Sequence, residues 1–532
     1  MKPTATPPAR RRFDRRAAIV AVAAATAAAA PIALPPLAAA AVTGFAALGF
    51  AGLCCRTAVR LRRLRRDVAA GERTALLLHR LARAAAHDPG TVRRIRRVAE
   101  ALAGGFPVSA ADEARAVARS GGAHISERLA LVRSIAEWQR ADRQSPPPAG
   151  RAGFDIVVVS HFGLPGGTTS ANEAEIKVWR DHGLKVGLLH HPVYDWEPNA
   201  PVHPRIQALV DGGAVSLIDR EAAVECDLAL VRLPIVMMKP LERRPEISAR
   251  RTAVLVNQTP YQYYGDTGPR RPAWDVATVA RNVEQWLGRP HWYAGGPRVL
   301  AALHEHHAAE IAGLDLDPEP WNEVIEVADW RLDGRREPDG RIRIGRHSRD
   351  HELKWPEDRR TLLQCYPERD PFEIHVLGGA EVPSRILDGL PANWTVHEFG
   401  AVPARDFLAR IDVMSYFIAS DGLEAFGRAP LEAMAAGVPV IMDPQFEPTF
   451  GPAAVYCGPA EAAAAAERLA ADPDAYAAQR SAAWDHLDRH FSARALMERL
   501  PLGSASERPR QWTAPGRAGD RRRVPAAADD RG

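Results

Sequence analysis

The stretches FDIVVVS at 154–160, ANEAEIKVWRDHG at 171–183 and LKVGLLHH at 184–191 decide the fold. The first carries the apolar, β-branched run Ile156–Val159, the composition of a strand buried on both faces of a parallel sheet. The second reads as a helix and the third as another strand. Further strands are predicted at VSLI (215–218), LALVRLP (228–234), AVLVN (253–257) and HWYA (291–294), the last followed by the helix RVLAALHEHHAAEI. Strands alternating with helices imply an α/β domain on a parallel sheet.

The same rhythm restarts downstream. RIRIG (341–345), EIHVLGG (373–379), TVHEFG (395–400), VMSYFIAS (413–420), VPVIM (438–442) and AVYCG (454–458) read as strands, with helices between them such as LEAMAAG and AEAAAAAERLAAD. The stretch joining the two halves, DLDPEPWNEVIEVADWRLDGRREPDG, is rich in turn residues. The expectation is two Rossmann-like domains, 153–330 and 331–500, the second closed by a helical stretch at 473–500. Their ligand cleft lies where the strands' C-terminal ends face each other. Residues 501–532, mostly Arg, Pro, Gly and Ala, read as a disordered basic tail.

Working outward toward the N-terminus, the texture changes. SPPPAG at 145–150 is a linker, and 56–144 reads as a helical juxtamembrane neck with arginine runs at 60–66 and 93–97. Both runs have the chemistry to meet anionic head groups, or simply to face water. Residues 17–55 carry no charge and are nearly twice the length that a bilayer core requires, about 20 residues. Pro31, Pro35 and Pro36 interrupt this run. A basic segment, 1–16, precedes it and Arg56 follows. Positive flanks stay cytoplasmic, so the run reads as a membrane hairpin, or a single span, with the following domains in the cytoplasm.

The whole chain has 532 residues, with Lys plus Arg 69 against Asp plus Glu 65. A formal charge of only +4 excludes a nucleic-acid-binding character for the chain as a whole. Its 5 cysteines lack CxxC spacing, so they form neither a zinc pattern nor a disulfide framework.

Chemistry concentrates at predicted strand ends. In EAFGRAPLEAMAAGVPVIM (424–442), Glu424 and Glu432 flank a turn at Gly427, and a helix starts near Pro430. A carboxylate before that turn can accept hydrogen bonds from sugar hydroxyls, and one within the helix can hold a diol. The helix N-terminus favours anions. IGRHSRDHELKWPEDR (344–359) supplies Arg346, Arg349 and Lys354 after the first strand of the second domain. HFGLPGGTTSANEAEI (161–176) places Gly166 and Gly167 after the first strand of the first domain, where a backbone without side chains can approach a ligand closely. It is neither a Walker loop nor GxGxxG. In VNQTPYQYYGD (256–266), Asn257, Gln258 and Tyr261 are candidate polar contacts, and the tyrosines are either packing or an acceptor platform. Two histidine groups read as structural: HEHH at 304–307 as an exposed helix face without HExxH spacing, and His190-His191 as packed or loop residues.

The E-x7-E stretch, with FG after its first glutamate, the EAMA helix and the G-V-P-V-I strand, resembles the signature of retaining glycosyltransferases of the GT-B fold. This is the glycosyltransferase group 1 family (family 4-like), and the resemblance extends over about 153–500. It implies transfer of a hexose from a nucleotide-sugar donor, with retention of configuration, to a glycan or lipid-linked acceptor of the cell envelope. Glu424, Arg346 and Lys354 take the catalytic positions, the two cations neutralising the departing diphosphate, so no metal and no cofactor are implied. Glu432, Phe426, Gly427, Gly166, Gly167 and Arg349 would bind donor. Relatives often carry a histidine near the strand end at 256–266, and this stretch has none. The competing functions are a nucleotide-sugar epimerase or hydrolase on the same fold, and a non-catalytic binding scaffold.

Overall fold

The computed structural model describes residues 89–119, 125–143, 151–265, 272–332, 334 and 337–502. The expected hairpin at 17–55, the basic segment before it and the tail beyond 502 lie outside these residues. Among the described residues no helix is long and apolar enough to cross a membrane. Of the described residues, 89–96 and 125–132 belong to one unit, and the others, including both sheets, to a second. Helices α1 (Pro89–Gly104), α2 (Pro107–Arg119) and α3 (Ile125–Arg143) occupy the neck. The start of α2 is tied to the first sheet domain through Glu242, whose carboxylate accepts from the Val108 and Ser109 backbone N–H groups at 2.5 and 3.1 Å.

The first sheet contains β1 (Arg151–Ser160), β2 (Val186–His190), β3 (Ser216–Leu217), β4 (Ala223–Arg232), β5 (Glu246–Val256), β6 (Pro290–Ala294) and β7 (Asp315–Leu316). Their order is β3-β2-β1-β4-β5-β6-β7 and every pairing is parallel. Helix α4 (Gly167–Asp181) lies over β1 and β2, burying Ile176 and Trp179 against Ile156, Val158 and Leu188. Helices α5 (Pro204–Asp211), α6 (Val276–Leu287) and α7 (Pro297–His306) complete the crossovers. Strands β4 and β5 extend several residues before the apolar runs read from sequence. Their outer halves alternate exposed and buried positions, so charged residues such as Glu225 and Arg251 hide the strand in a hydropathy pattern. Strand β7 lies in the turn-rich joining stretch; two residues pairing with His291 and Trp292 are too short to leave a signal.

The second sheet has the order β10-β9-β8-β11-β12-β13, again all parallel. Its strands are β8 (Ile342–His347), β9 (Phe372–Leu377), β10 (Trp394–His397), β11 (Val413–Tyr416), β12 (Val440–Met442) and β13 (Val455–Tyr456). Helices α8 (Arg359–Cys365), α9 (Glu381–Leu387), α10 (Ala404–Leu408), α11 (Arg428–Ala436) and α12 (Ala462–Ala471) surround it. Helix α13 (Pro473–Phe491) packs Leu487 and Phe491 into the second core. The chain then crosses back: in α14 (Ala493–Arg499) and just beyond, Leu496 and Leu500 join the first core, with Ile156 and Trp321.

In each sheet the strand order reverses once, between β1 and β4 and between β8 and β11. Reversal leaves a crevice at the strands' C-terminal ends because neighbouring crossovers depart to opposite faces. The loops carrying Gly166, Lys354 and Glu424 follow β1, β8 and β11, so all three leave the sheets beside these two crevices.

Candidate active site

Strand β11 ends at Tyr416 and the turn beyond it returns Glu424 to the strand ends. The Tyr416 hydroxyl donates to Glu424 Oε2 at 2.8 Å, and Lys354 Nζ pairs with the same oxygen. The two charged side chains keep 24% and 15% exposure, so the pair is shielded yet reachable from the solvent. Burial works to raise the Glu424 carboxyl. The Lys354 ammonium, helped by the Tyr416 hydroxyl and the Arg346 charge, outweighs it and holds the group below the ordinary carboxylate value. Burial, reinforced by the Glu424 charge, pushes the Tyr416 phenol well above its usual value, so it is a hydrogen-bond donor here and not a base.

Arg346 sits beneath this pair, with no exposure. Its Nη1 donates to the Phe417 carbonyl at 3.0 Å and the Tyr366 hydroxyl at 3.3 Å, and its Nη2 to the Lys354 carbonyl. The guanidinium lies 4.1 Å from the Tyr416 ring centroid and 5.0 Å from that of Trp355. Arg346 therefore grips the backbone that carries Lys354, and among these cations it is Lys354 that meets Glu424. The loop is pinned further by Asp350, which accepts from Trp355 Nε1 at 3.0 Å and from the first backbone N–H groups of α9. It lies so close to Gly378 that a Cβ there would stand 1.8 Å from the Ser348 carbonyl oxygen.

Glu432 is buried on α11 and faces inward. Arg428, the first residue of α11, donates from Nε to Glu432 Oε1 at 3.1 Å. Arg428 Nη1 reaches the Val324 carbonyl at 2.7 Å and Glu323 Oε2 at 3.4 Å. The other Glu432 oxygen stands 3.7 Å from His347 Nε2. Burial lowers the His347 pKa, and the nearby Glu432 charge only partly offsets it. Gly427 caps α11 at φ 104, a conformation that costs a residue with a Cβ and so fits the glycine in FG. Phe426, expected to bind donor, packs downward: its ring lies 5.6 Å from that of Phe450 and 5.4 Å from that of Phe491. It supports the turn and leaves the polar work to Glu424.

From the first domain, Gly166 and Gly167 close on the second. A Cβ at Gly166 would lie 3.9 Å from Arg349 Nε, and one at Gly167 would lie 3.7 Å from Arg428 Cβ. Gly166 adopts φ 89, again a glycine conformation. The structure thus brings Gly166 to Arg349, Gly167 to Arg428, and Lys354 to Glu424. Sequence reading missed a second crossing. A Cβ at Gly296 would be 3.0 Å from the Ala425 carbonyl oxygen, and Arg298 Nη1 donates to the Gln445 carbonyl at 3.0 Å. A Gly-Gly-Pro-Arg turn opening a helix is a signal that could have found it.

At the strand end 256–266, a histidine from further along the chain packs against the tyrosines. His307, expected on an exposed helix face, is buried because it follows the last residue of α7 and lies against the tyrosine loop. It stacks on Tyr261 at 5.1 Å, and its Nε2 is 3.0 Å from the Tyr264 hydroxyl. Asn257 Oδ1 and Gln258 Oε1 are buried without a partner. His190 and His191 are packed. The Nδ1 of His190 accepts from Phe162 N at 3.1 Å, and burial lowers the pKa values of His190 and His191 to about 4 and about 3. Among the described residues, no group of three or more His, Cys, Asp or Glu side chains is placed to hold a metal ion.

No protein family's sequence model matches the chain, and no curated protein does. Solved structures do. HepE of Anabaena, in complex with UDP and glucose, has 12% identity and a TM-score of 0.45, covering 65% of this chain and 97% of that one. A glycosyltransferase of Rickettsia africae has 11% identity and a TM-score of 0.44, covering 64% and 96%. WaaG, a glycosyltransferase involved in lipopolysaccharide biosynthesis, has 14% identity and a TM-score of 0.42, covering 64% and 98%.

Proposed function

We propose that the chain is a retaining glycosyltransferase that moves a hexose from a nucleotide-sugar donor to an envelope or lipid-linked glycan. The observation that carries this reading is the Lys354–Glu424–Tyr416 cluster at the C-terminal end of β11, across from the glycine turn after β1. A nucleoside diphosphate leaving group gains charge as its glycosyl bond breaks, and a cation fixed beside it lowers the barrier. Lys354 supplies that cation and Arg349, next to Gly166, a second. As the diphosphate engages Lys354, Glu424 is freed to accept a sugar hydroxyl. The carboxylate is suited to this because its neighbours keep it ionised. Glu432, fixed by Arg428, offers its remaining oxygen to the ribose diol. Retention follows from attack on the face the diphosphate leaves, the departing phosphate taking the acceptor's proton. The reading requires no metal and no cofactor. The uncharged run 17–55, with basic flanks, would anchor the enzyme beside a lipid-linked acceptor, with its catalytic domains in the cytoplasm.

The test uses the detergent-solubilised full chain with UDP-, GDP-, ADP- and dTDP-sugars. Thermal stabilisation by one donor, with nucleotide release lost in Glu424→Ala and in Lys354→Ala, is expected. Full release in both variants removes the assignment of the site. Binding without turnover, in the presence of candidate acceptors, favours a scaffold.

A further inference from the structure

Arg298 belongs to the first domain, but what it touches belongs to the second. It is the second residue of α7, after Gly295, Gly296 and Pro297. The two glycines let this turn press into its surroundings from both sides. A Cβ at Gly295 would stand 2.9 Å from the Val256 carbonyl oxygen, and one at Gly296 would stand 3.0 Å from the Ala425 carbonyl oxygen and 3.3 Å from the Phe426 ring. Ala425 and Phe426 directly follow Glu424. The Gly-Gly turn is therefore seated on the loop that presents the candidate catalytic carboxylate.

Seated there, Arg298 reaches the turn after β12. Its Nη1 donates to the Gln445 carbonyl at 3.0 Å, and its guanidinium lies 5.1 Å from the Phe446 ring centroid. The Phe446 ring meets Tyr416 edge-on at 5.7 Å, and Tyr416 donates to Glu424. Asp443, which caps the same turn through Gln445 N at 2.9 Å, and Glu424 both attract the guanidinium, while burial works against its charge. Arg298 Nε is buried with no partner.

We propose that Arg298 is a positioning residue that clasps the two domains, fixing the Asp443–Phe446 turn and, through Phe446 and Tyr416, the orientation of Glu424. It touches none of the reacting atoms. This inference rests on the transferase reading for its kinetic consequences, but the clasp itself does not. The cation that steadies Glu424 from the far side comes from the other domain, so the carboxylate is fully oriented only while the domains are docked.

The experiment compares Arg298→Met and Arg298→Lys with the unaltered full chain in detergent. Hydrogen exchange without any substrate tests the clasp directly. Backbone N–H groups of 424–427 and 443–450 are expected to exchange about tenfold faster in Arg298→Met, with the cores of both sheets unchanged. With the donor found in the screen above, kcat is expected to fall roughly tenfold or more while nucleotide affinity stays within about twofold, because misorientation is costlier in the transition state than in binding. The acid limb of the pH–rate profile should move upward in Arg298→Met, and Arg298→Lys should restore that limb but not the exchange protection, since lysine keeps the charge and loses the fork. Unchanged exchange at both segments overturns the proposal. So does a loss of nucleotide affinity equal to the loss of kcat, which would make Arg298 a phosphate ligand. If exchange rises as expected while the unaltered chain turns over no nucleotide sugar, the clasp stands and the transferase reading falls.

Discussion

Each domain holds a glutamate against a cation, and the two pairs behave in opposite ways. Glu175 on α4 pairs with Arg232 at the end of β4, at 0% and 2% exposure, with Trp321 Nε1 donating at 3.2 Å. There burial dominates and raises the Glu175 pKa despite Arg232 and Trp321. Around Glu424 the cation and the phenol win and the pKa falls. The difference is access. The first pair is sealed beneath the strand ends, where desolvation offsets its attraction and its partners are already chosen. The second keeps enough solvent contact for a ligand to replace one partner. A buried charge pair alone is therefore a poor sign of function, and the open pair is where chemistry is expected.

Breaking the sealed pair should have the largest effect. Arg232→Met leaves Glu175 as an uncompensated buried carboxylate, an expected cost of about 3–5 kcal/mol in urea unfolding. Replacing both partners, in Glu175→Leu with Arg232→Met, should recover most of that loss, because two apolar side chains need no partners. Recovery by the double variant is the decisive observation; a loss in the double variant equal to the sum of the losses in Arg232→Met and Glu175→Leu alone would mean that Glu175 and Arg232 act separately.

The open pair should respond in activity instead. Glu424→Gln keeps the shape and removes the charge, and transfer is expected to fall about 10²- to 10³-fold, equivalent to roughly 2.7–4 kcal/mol in the transition state. The stability change should stay below about 1 kcal/mol, since Lys354 keeps solvent contact. A melting temperature that drops as far as that of Arg232→Met would place Glu424 with the structural pairs.

Acid titration sharpens the same contrast. Glu424 is depressed in the folded state, so it stabilises above its unfolded pKa and loses that contribution as the pH falls through its folded value. Glu175 is raised, so its contribution is complete below its unfolded pKa and disappears as the pH rises through its folded value. Urea midpoints measured from about pH 3.5 to 7 should therefore decline less steeply toward acid in Glu424→Gln, and more steeply in Glu175→Gln. Parallel slopes in the two variants would remove the distinction.

Why one pair was legible in the sequence and the other was not has a physical basis. Glu424 and Lys354 lie just beyond apolar runs that mark buried parallel strands, so their place at the strand ends could be read directly. The spacing of Glu424, Gly427 and Glu432 also encodes a turn entering a helix. Arg232 closes such a run as well, but its partner sits 57 residues away on a helix face, and nothing local joins them. Arg298 is more hidden, because Gln445 lies 147 residues further on and is met through a backbone carbonyl, which any residue could supply. Arg346 could be found but not oriented. A strand-end arginine reads the same whether it faces the cleft or, as here, holds the Lys354 carbonyl from beneath. His307 misled because helical spacing exposed its neighbours His304 and Glu305, whereas the helix ends at the residue before it.

The smallest effects should come from the two glycines where the first domain meets the second. Gly166 has φ 89 and ψ −147, a conformation that a side chain disfavours, so Gly166→Ala is expected to cost about 1–2 kcal/mol whatever space surrounds it. Gly167 opens α4 without a left-handed φ, and its added Cβ would meet Arg428 Cβ at 3.7 Å, an ordinary contact. Gly167→Ala should therefore change stability by no more than about 0.5 kcal/mol, since alanine is the better helix former. Its consequence should instead appear in the donor KM, raised a few-fold, because the methyl group stands against the arginine that orients Glu432. If Gly167→Ala destabilises as much as Gly166→Ala, the turn is constrained by its backbone alone. If only Gly166→Ala destabilises and only Gly167→Ala shifts KM, one glycine serves the fold and its neighbour serves the cleft.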